Sequence, residues 1–397
     1  MHEYLKKSDI AIMACATGLI VANLYYCQPL IHLIGEDFGI EESIAGRTIY
    51  LTQLGYALGL LFLVPLGDKY ERKKQISIVT FTSCIFLIIA AVSKNFLILQ
   101  IACFGIGFSS ITPQLILPMV ANLSKPEERG KLVGIVMSGL LVGILLSRTL
   151  SGFIGEYLGW RSMFWIASAI CFVLTFIMYL KLPKSEASYR GSYFDLLKSL
   201  KELTAKYSIL REASFLNFIV FSVFGTFWTT MVLFLGSDIY QYKSDQIGLF
   251  GLVGATGALL APIVGKLSDK TDSRAVVGYG LIILLISQVT FYLFGNNLYL
   301  FILGIIILEL GHQSVHVSNQ TRIYALDAYS RNRLNTVFMT ASFIGTAGGS
   351  ALGIYLWTLG GWKFACMGTI VILVLALIFY KLNTKNIDKI KKGEHTF

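Results

Sequence analysis

Residues 129–161 read RGKLVGIVMSGLLVGILLSRTLSGFIGEYLGWR, and residues 331–363 read RNRLNTVFMTASFIGTAGGSALGIYLWTLGGWK. At a constant offset of 202, Arg129 falls on Arg331, Leu132 on Leu334, Met137 on Met339, Gly143 on Gly345, Leu150 on Leu352, Gly159 on Gly361 and Trp160 on Trp362. Both stretches open on paired basic residues and close on Gly-Trp-basic, Arg161 matching Lys363. Each encloses an apolar run long enough to cross a hydrocarbon core of about 30 Å as a helix. A fixed-period match of this kind is the mark of a duplicated unit.

The same type of segment recurs along the chain. Of 397 residues, 55% are hydrophobic and 14% charged, with a mean hydropathy of +0.67. Soluble domains carry about 25% charged residues, so the excess apolar surface must face lipid. Spans are expected near 10–34, 48–66, 76–93, 96–120, 133–157, 163–181, 213–236, 247–266, 276–295, 298–320, 334–358 and 363–381. The longest polar interruption, 183–211, has amphipathic character around Phe194 to Leu203 and divides the spans six and six. The fold expected is therefore an all-α membrane protein of twelve transmembrane helices in two pseudo-symmetric six-helix halves, 1–182 and 212–397, joined by a linker, 183–211. The first span is too long for a signal-peptide core and is expected to remain as a helix. All six cysteines lie inside spans with no paired spacing, which reads as packing.

Basic residues set the expected orientation. With both termini in the cytoplasm, 27 of the 33 Lys and Arg fall in cytoplasmic segments. That topology also accounts for the net charge of +10 without a nucleic-acid partner.

Arg148 and Glu309 are the formal charges placed in mid-span, where a charge costs a few kcal/mol to insert and marks a pathway or a binding site. Glu309, His312, His316 and Asn319 follow at steps of three, four and three, so they stack on one face of the tenth helix. Three readings compete for that stripe. A buried carboxylic acid beside imidazoles can relay protons. Two histidines at four-residue spacing could begin a metal shell, but the set is incomplete and no metal is expected. Alternatively, Glu309 and Arg148 form a buried structural pair. A guanidinium cannot be deprotonated, so Arg148 must meet a carboxylate, a carbonyl or an anionic substrate.

A second pair of repeats lies in the loops after the second and eighth spans. Asp68-Lys69 with Lys73 corresponds to Asp269-Lys270 with Arg274. The first copy, Val64-Pro-Leu-Gly-Asp68-Lys69-Tyr70-Glu71-Arg72-Lys73, resembles the Gly-x-x-x-Asp-Arg-x-Gly-Arg-Arg loop of major facilitator superfamily transporters, and Gly265-Lys-Leu-Ser-Asp269-Lys270 keeps the leading glycine. Parallel six-helix repeats are how such carriers are built. Gly143-Ile-Leu-Leu-Ser147-Arg148-Thr-Leu-Ser-Gly152 resembles the fifth-helix motif of bacterial drug:proton antiporters, with Arg148 in place of its proline. Those antiporters also carry an arginine in the fourth helix, where this chain has Gln100 to Gly105.

The resemblance implies a bacterial inner-membrane carrier that alternates access to a midplane cavity, most like the efflux permeases. Proton coupling would run through Glu309, His312, His316 and Arg148. The first, fourth, seventh and tenth helices would line the cavity, through Asn23, Tyr26, Gln28, Ser110, Gln114, Asn217, Trp228 and Asn319. Asp68, Lys69, Arg72, Lys73, Asp269, Lys270 and Arg274 would form a cytoplasmic gate, Asp68 meeting the N-terminal end of the eleventh helix near Arg331 and Arg333. The expected partners are a small-molecule substrate and membrane lipid, with a monomer as the working unit, no cofactor, and the proton gradient as driving force. An importer, symporter or uniporter of a small organic anion bound by Arg148 is the alternative. A lipid-handling protein or receptor on the same scaffold is a third reading. No phosphate-cradling Gly-Lys-Ser/Thr loop and no catalytic constellation occurs, which excludes an ATP-driven pump within this chain and an enzyme.

Overall fold

The structure is a computed structural model that describes residues 5–125, 128–183, 189, 191–270, 272–327 and 330–391, excepting the side chains at 258, 261, 262, 266–270 and 384–391. Ten stretches are apolar and long enough to cross a membrane. The first seven in chain order are α1 (Lys7–Phe38), α2 (Glu42–Lys69), α3 (Arg72–Val92), α4 (Phe96–Leu123), α5 (Arg129–Leu158), α6 (Trp160–Lys181) and α7 (Ser208–Gly236). α8 (Ser244–Lys270) follows as a further long helix, then α9 (Ser273–Phe294) and α10 (Leu298–Tyr324). The final helical run, Arg331–Lys391, is broken at Gly360 and Gly361 into α11 (331–359) and α12 (362–391). The described residues thus form twelve long helices and no strand.

The duplicated landmarks have the same physical cause in both copies. A Cβ at Gly143 would strike the backbone oxygen of Gly18 on α1, and one at Gly345 would strike that of Phe218 on α7. Glycine lets each pair of helices touch backbone to backbone. Gly159 and Gly361 both take left-handed φ, at 81° and 64°, and turn the chain into the next helix. Trp160 and Trp362 are then both buried, the first against Phe38 and Phe164, the second stacked on Phe234 with its Nε1 donating to the Phe291 carbonyl at 3.1 Å.

Two helices are broken where polar groups must turn inward. α1 passes through 3-10 turns at Ala22–Leu24 and Gln28–Leu30, with Pro29 in the second. α4 stops at Ser109 and restarts at Thr112, immediately before Pro113, whose ring cannot follow a regular turn. Pro118 lies within the restarted helix.

The linker forms an amphipathic helix, Tyr193–Lys206, begun by a capping box of Ser192 and Asp195. Leu196, Leu200 and Leu203 are buried, and Leu203 joins a cluster with Leu210, Leu334 and Phe338 near the start of α11. Tyr193 donates its hydroxyl to the Phe62 carbonyl at 2.8 Å and the Tyr189 amide donates to the Asp68 carbonyl at 2.9 Å, which ties the linker to α2.

The two halves touch firmly away from the linker. There α5 meets α8: Thr149 donates to the Gly248 carbonyl at 3.0 Å, and Lys243 pairs with Glu156 at 3.3 Å. α2 meets α11 through Gly46 against Ile354 and through the Ser350 hydroxyl, which donates to Gln53 Oε1 at 2.8 Å. Toward the linker the halves part.

Candidate functional site

The parting leaves a cavity of about 620 Å³ that runs from Arg148 and Glu309 at its deep end to Asp68, Arg72, Arg331 and Arg333 at its mouth. Its middle is walled by Tyr56, Leu60, Leu141, Ile144, Phe221, Phe224, Met339 and Phe343. The mouth is on the linker end, and the α5–α8 and α2–α11 contacts close the other end.

Arg148 projects from α5 and is 5% exposed. Its Nε donates to Gln28 Oε1 at 2.5 Å, made possible by the break that turns α1 inward. Its guanidinium carbon lies 4.5 Å from the centre of the Tyr25 ring and 4.2 Å from that of Trp228. Aromatic faces attract a desolvated guanidinium by up to about 2 kcal/mol, so this clamp offsets part of its burial.

Glu309 is 4% exposed and lodges against α8. A Cβ on Gly257 would strike Glu309 Oε2, while one on Gly254 would meet Trp228 at 2.9 Å and Glu309 Oε1 at 3.5 Å. The α8 glycines therefore make the carboxylate's niche. The buried structural pair, one of the three readings of the sequence, does not form: no ion pair within 4.0 Å joins Glu309 to Arg148 among the described residues. Gln28 and the two rings hold the guanidinium, and the glycine niche holds the carboxylate apart from it.

One turn further along α10, His312 stacks on Phe224 with ring centres 4.3 Å apart. It is 6% exposed, and neither ring nitrogen has a hydrogen-bond partner among the described residues. His316 stacks on Phe338 at 5.5 Å and its Nδ1 lies 3.3 Å from Asn217 Nδ2. The two imidazole centres are 6.1 Å apart, and both line the cavity. Among the described residues no group of three His, Cys, Asp or Glu has the arrangement of a metal shell.

Comparison with known proteins fits this architecture. Residues 13–325 and 213–396 match the family model described as Major Facilitator Superfamily. The chain belongs to that superfamily. It is 38% identical over 381 residues to "Uncharacterized transporter YgaY" of Escherichia coli O157:H7, covering 96% of each chain. It is 24% identical over 362 residues to "Probable sugar efflux transporter" of Helicobacter pylori (strain G27), covering 89% of each. In fold it is similar to a bacterial homologue of the human lysosomal transporter Spinster in an inward-facing, occupied conformation, with a TM-score of 0.77 at 16% identity, covering 95% of this chain and 96% of that one. This superfamily member is accordingly a multi-pass membrane transporter and not an enzyme.

Not every residue expected to face the transporter's cavity does so. Gln114 lines it, its Nε2 donating to the Tyr56 hydroxyl at 3.4 Å. Asn23 and Ser110 are instead buried inside the first half, joined at 3.4 Å. Tyr26 packs in the core, its carbonyl accepting from Ser151, while the neighbouring Tyr25 takes the cavity wall. Gln28 and Trp228 act on the cavity through Arg148. Asn217 bonds Ser342 and His316, and Asn319 accepts from Arg322 at 2.9 Å, both within the second half. Asn23 and Asn217 are both buried, their amides turned to Ser110 and Cys171 and to Ser342 and His316 on neighbouring helices.

The gate residues also divide. Asp68 and Arg72 line the mouth and pair at 2.8 Å, and Arg72 also donates to the Gly67 carbonyl at 3.0 Å. Arg331 and Arg333 share the mouth, but Asp68 is held by Arg72 and makes no ion pair to α11 among the described residues. Lys69 and Lys73 are not among the lining residues, each lying instead near a tyrosine ring, Tyr70 and Tyr179. The side chains of Asp269 and Lys270 lie outside the described residues. Arg274 is not at the gate: it pairs with Glu212 of α7 at 2.7 Å, and Glu212 also pairs with Arg322 of α10 at 2.7 Å. Sequence reading missed that triad because Glu212 sits at the edge of the linker, where a charge is ordinary.

Proposed function

We propose that this chain exports a small molecule from the bacterial cytoplasm in exchange for protons, alternating access across the inner membrane through the cavity that ends at Glu309. The observation that carries the reading is a buried carboxylate deep in an otherwise largely apolar, one-ended cavity, with no ion pair within 4.0 Å among the described residues. Such a group is expensive in a membrane unless it serves a pathway. His312 and His316 follow it toward the mouth on the same helix face, in reach of water, and would pass the proton along.

In this arrangement the mouth faces the cytoplasm, in keeping with the distribution of basic residues, and both termini lie on that side. When the mouth closes, Asp68 would meet the N-terminal end of α11, where unpaired backbone amides favour an anion. Coupling requires that substrate and proton favour different states of the carrier. The proton gradient drives the cycle, a monomer suffices, and no bound cofactor is called for.

The test is to reconstitute the full chain in vesicles with an imposed pH gradient and to add lipophilic cations, sugars and organic anions in turn. Compound-dependent collapse of the gradient, lost in Glu309→Gln, is expected. Arg148 favours a second reading, uniport or import of an organic anion, because its guanidinium edge is unpaired in the cavity. Labelled anion crossing with no movement of protons and with Arg148 essential would replace the first reading by the second.

A further inference from the structure

We propose that the deep end of the cavity is a site for a small zwitterion, an α-amino acid or similar amino-carboxylate with an apolar side chain. The inference rests on the transport reading above and names its substrate class.

The two charges are presented in complementary ways. The Arg148 guanidinium lies against the Tyr25 and Trp228 rings, and its Nε is taken by Gln28. What remains is the edge carrying the two Nη groups, for which no described residue supplies an acceptor. That planar edge matches a carboxylate bidentately, and a guanidinium buried to this depth needs such a partner. Glu309 lines the same cavity and makes no ion pair within 4.0 Å among the described residues, so its carboxylate can accept from an ammonium group.

Both side chains border α8: Arg148 lies against Gly251, whose added Cβ would meet the Arg148 Cβ at 2.9 Å, while Glu309 lies against Gly254 and Gly257. No ion pair within 4.0 Å joins the two among the described residues, and both line the cavity. A molecule carrying its ammonium and carboxylate on one carbon can meet both, with a charge-assisted hydrogen bond of about 2.8 Å at each end. The aliphatic and aromatic walls beyond, including Ile144 and Phe224, would receive the side chain. A ligand with a single charge leaves the opposite protein charge buried and unpaired, which is how a polar site rejects an analogue.

The experiment is equilibrium binding to the purified full chain in detergent, using L-phenylalanine, 3-phenylpropanoate and 2-phenylethylamine, with L-leucine as a second zwitterion. The zwitterions are expected to bind at least about tenfold more tightly than either single-charge analogue, a difference of about 1.4 kcal/mol. Arg148→Gln should erase the preference over 2-phenylethylamine, and Glu309→Gln the preference over 3-phenylpropanoate. Arg148→Lys, which keeps the charge and loses the fork, should bind zwitterions more weakly than the native chain, and melting curves check that each variant is folded. Equal binding of a single-charge analogue, or no binding of either zwitterion, overturns the proposal. If the vesicle screen then finds another compound whose flux depends on Glu309, the transport reading stands without it. Binding in the expected pattern without any proton-linked flux would instead keep the site and remove the coupling.

Discussion

α4 and α10 hold equivalent places in the two halves, yet only α10 carries charge. At the offset of 202, Gly107 corresponds to Glu309, Ser110 to His312 and Gln114 to His316. A Cβ on Gly107 would strike the Thr52 carbonyl of α2, so the first half has closed this position by packing. Ser110 is tied to Asn23 and to Ser83, each at 3.4 Å. The same height on α10 holds a buried carboxylate that lines the cavity and an imidazole with neither nitrogen hydrogen-bonded among the described residues. Duplication gave a common scaffold, and one copy was spent on packing while the other keeps its polar groups for the cavity. The loops diverge in the same manner: Lys73 lies by the Tyr179 ring while Arg72 pairs with Asp68 at the mouth, whereas Arg274, the counterpart of Lys73, braces α9 to α7 and α10 through Glu212.

The strongest way to break this contrast is Glu309→Gln. It should reduce proton-coupled flux by about a hundredfold or more, as loss of a proton-transfer group does, with the melting temperature unchanged. Comparable flux in the variant would return α10 to the status of α4. Glu212→Ala should act on stability instead, costing about 3–5 kcal/mol because two arginines lose their counter-ion in a buried site. A chemical-denaturation or thermal-melt series on the purified protein reads this, and an unaltered midpoint would deny the brace. The glycines sharpen the comparison further. Gly107→Ala forces a methyl into α2 backbone and should cost about 2 kcal/mol. Gly257→Ala meets the Glu309 side chain, most closely at its flexible Oε2 end, so it should displace Glu309 and lower flux several-fold with a smaller loss of melting temperature than Gly107→Ala.

Smaller effects are expected at the mouth and in the first half. Asp68→Asn should slow turnover by about fivefold, as expected if the closed mouth relies on a charge at the N-terminal end of α11 worth about 1 kcal/mol. Unchanged turnover would reduce that loop to a partner for Arg72. Ser110→Ala should lose no more than about 1 kcal/mol of stability and leave flux as it was. A flux defect there would extend the part of α4 that serves the pathway from Gln114 back to Ser110.

Much of this was legible in the sequence. The repeat at 129–161 and 331–363 carried the fold, because Gly143 with Gly345, Gly159 with Gly361 and Trp160 with Trp362 each answer to a contact or a φ angle that both halves need. The stripe of Glu309, His312 and His316 was legible because helical spacing puts those residues on one face. Arg148's surroundings were not, since Gln28, Tyr25 and Trp228 come from helices more than 75 residues distant in the chain. Nor could spacing tell Tyr25 from Tyr26: the 3-10 turns after Val21 decide which ring enters the cavity. Polar residues such as Asn23 and Asn217 look alike whether they face a cavity or bridge two helices, and only their partners separate the cases.

The most direct test of the central claim is proton release on binding. Purified protein in weakly buffered solution, with a pH indicator, is mixed with L-phenylalanine or with whichever compound the vesicle screen identifies. If Glu309 exchanges its proton for substrate, the native chain releases close to one proton per substrate bound, and Glu309→Gln releases none. Binding without proton release by the native chain, or equal release by the variant, would contradict the account.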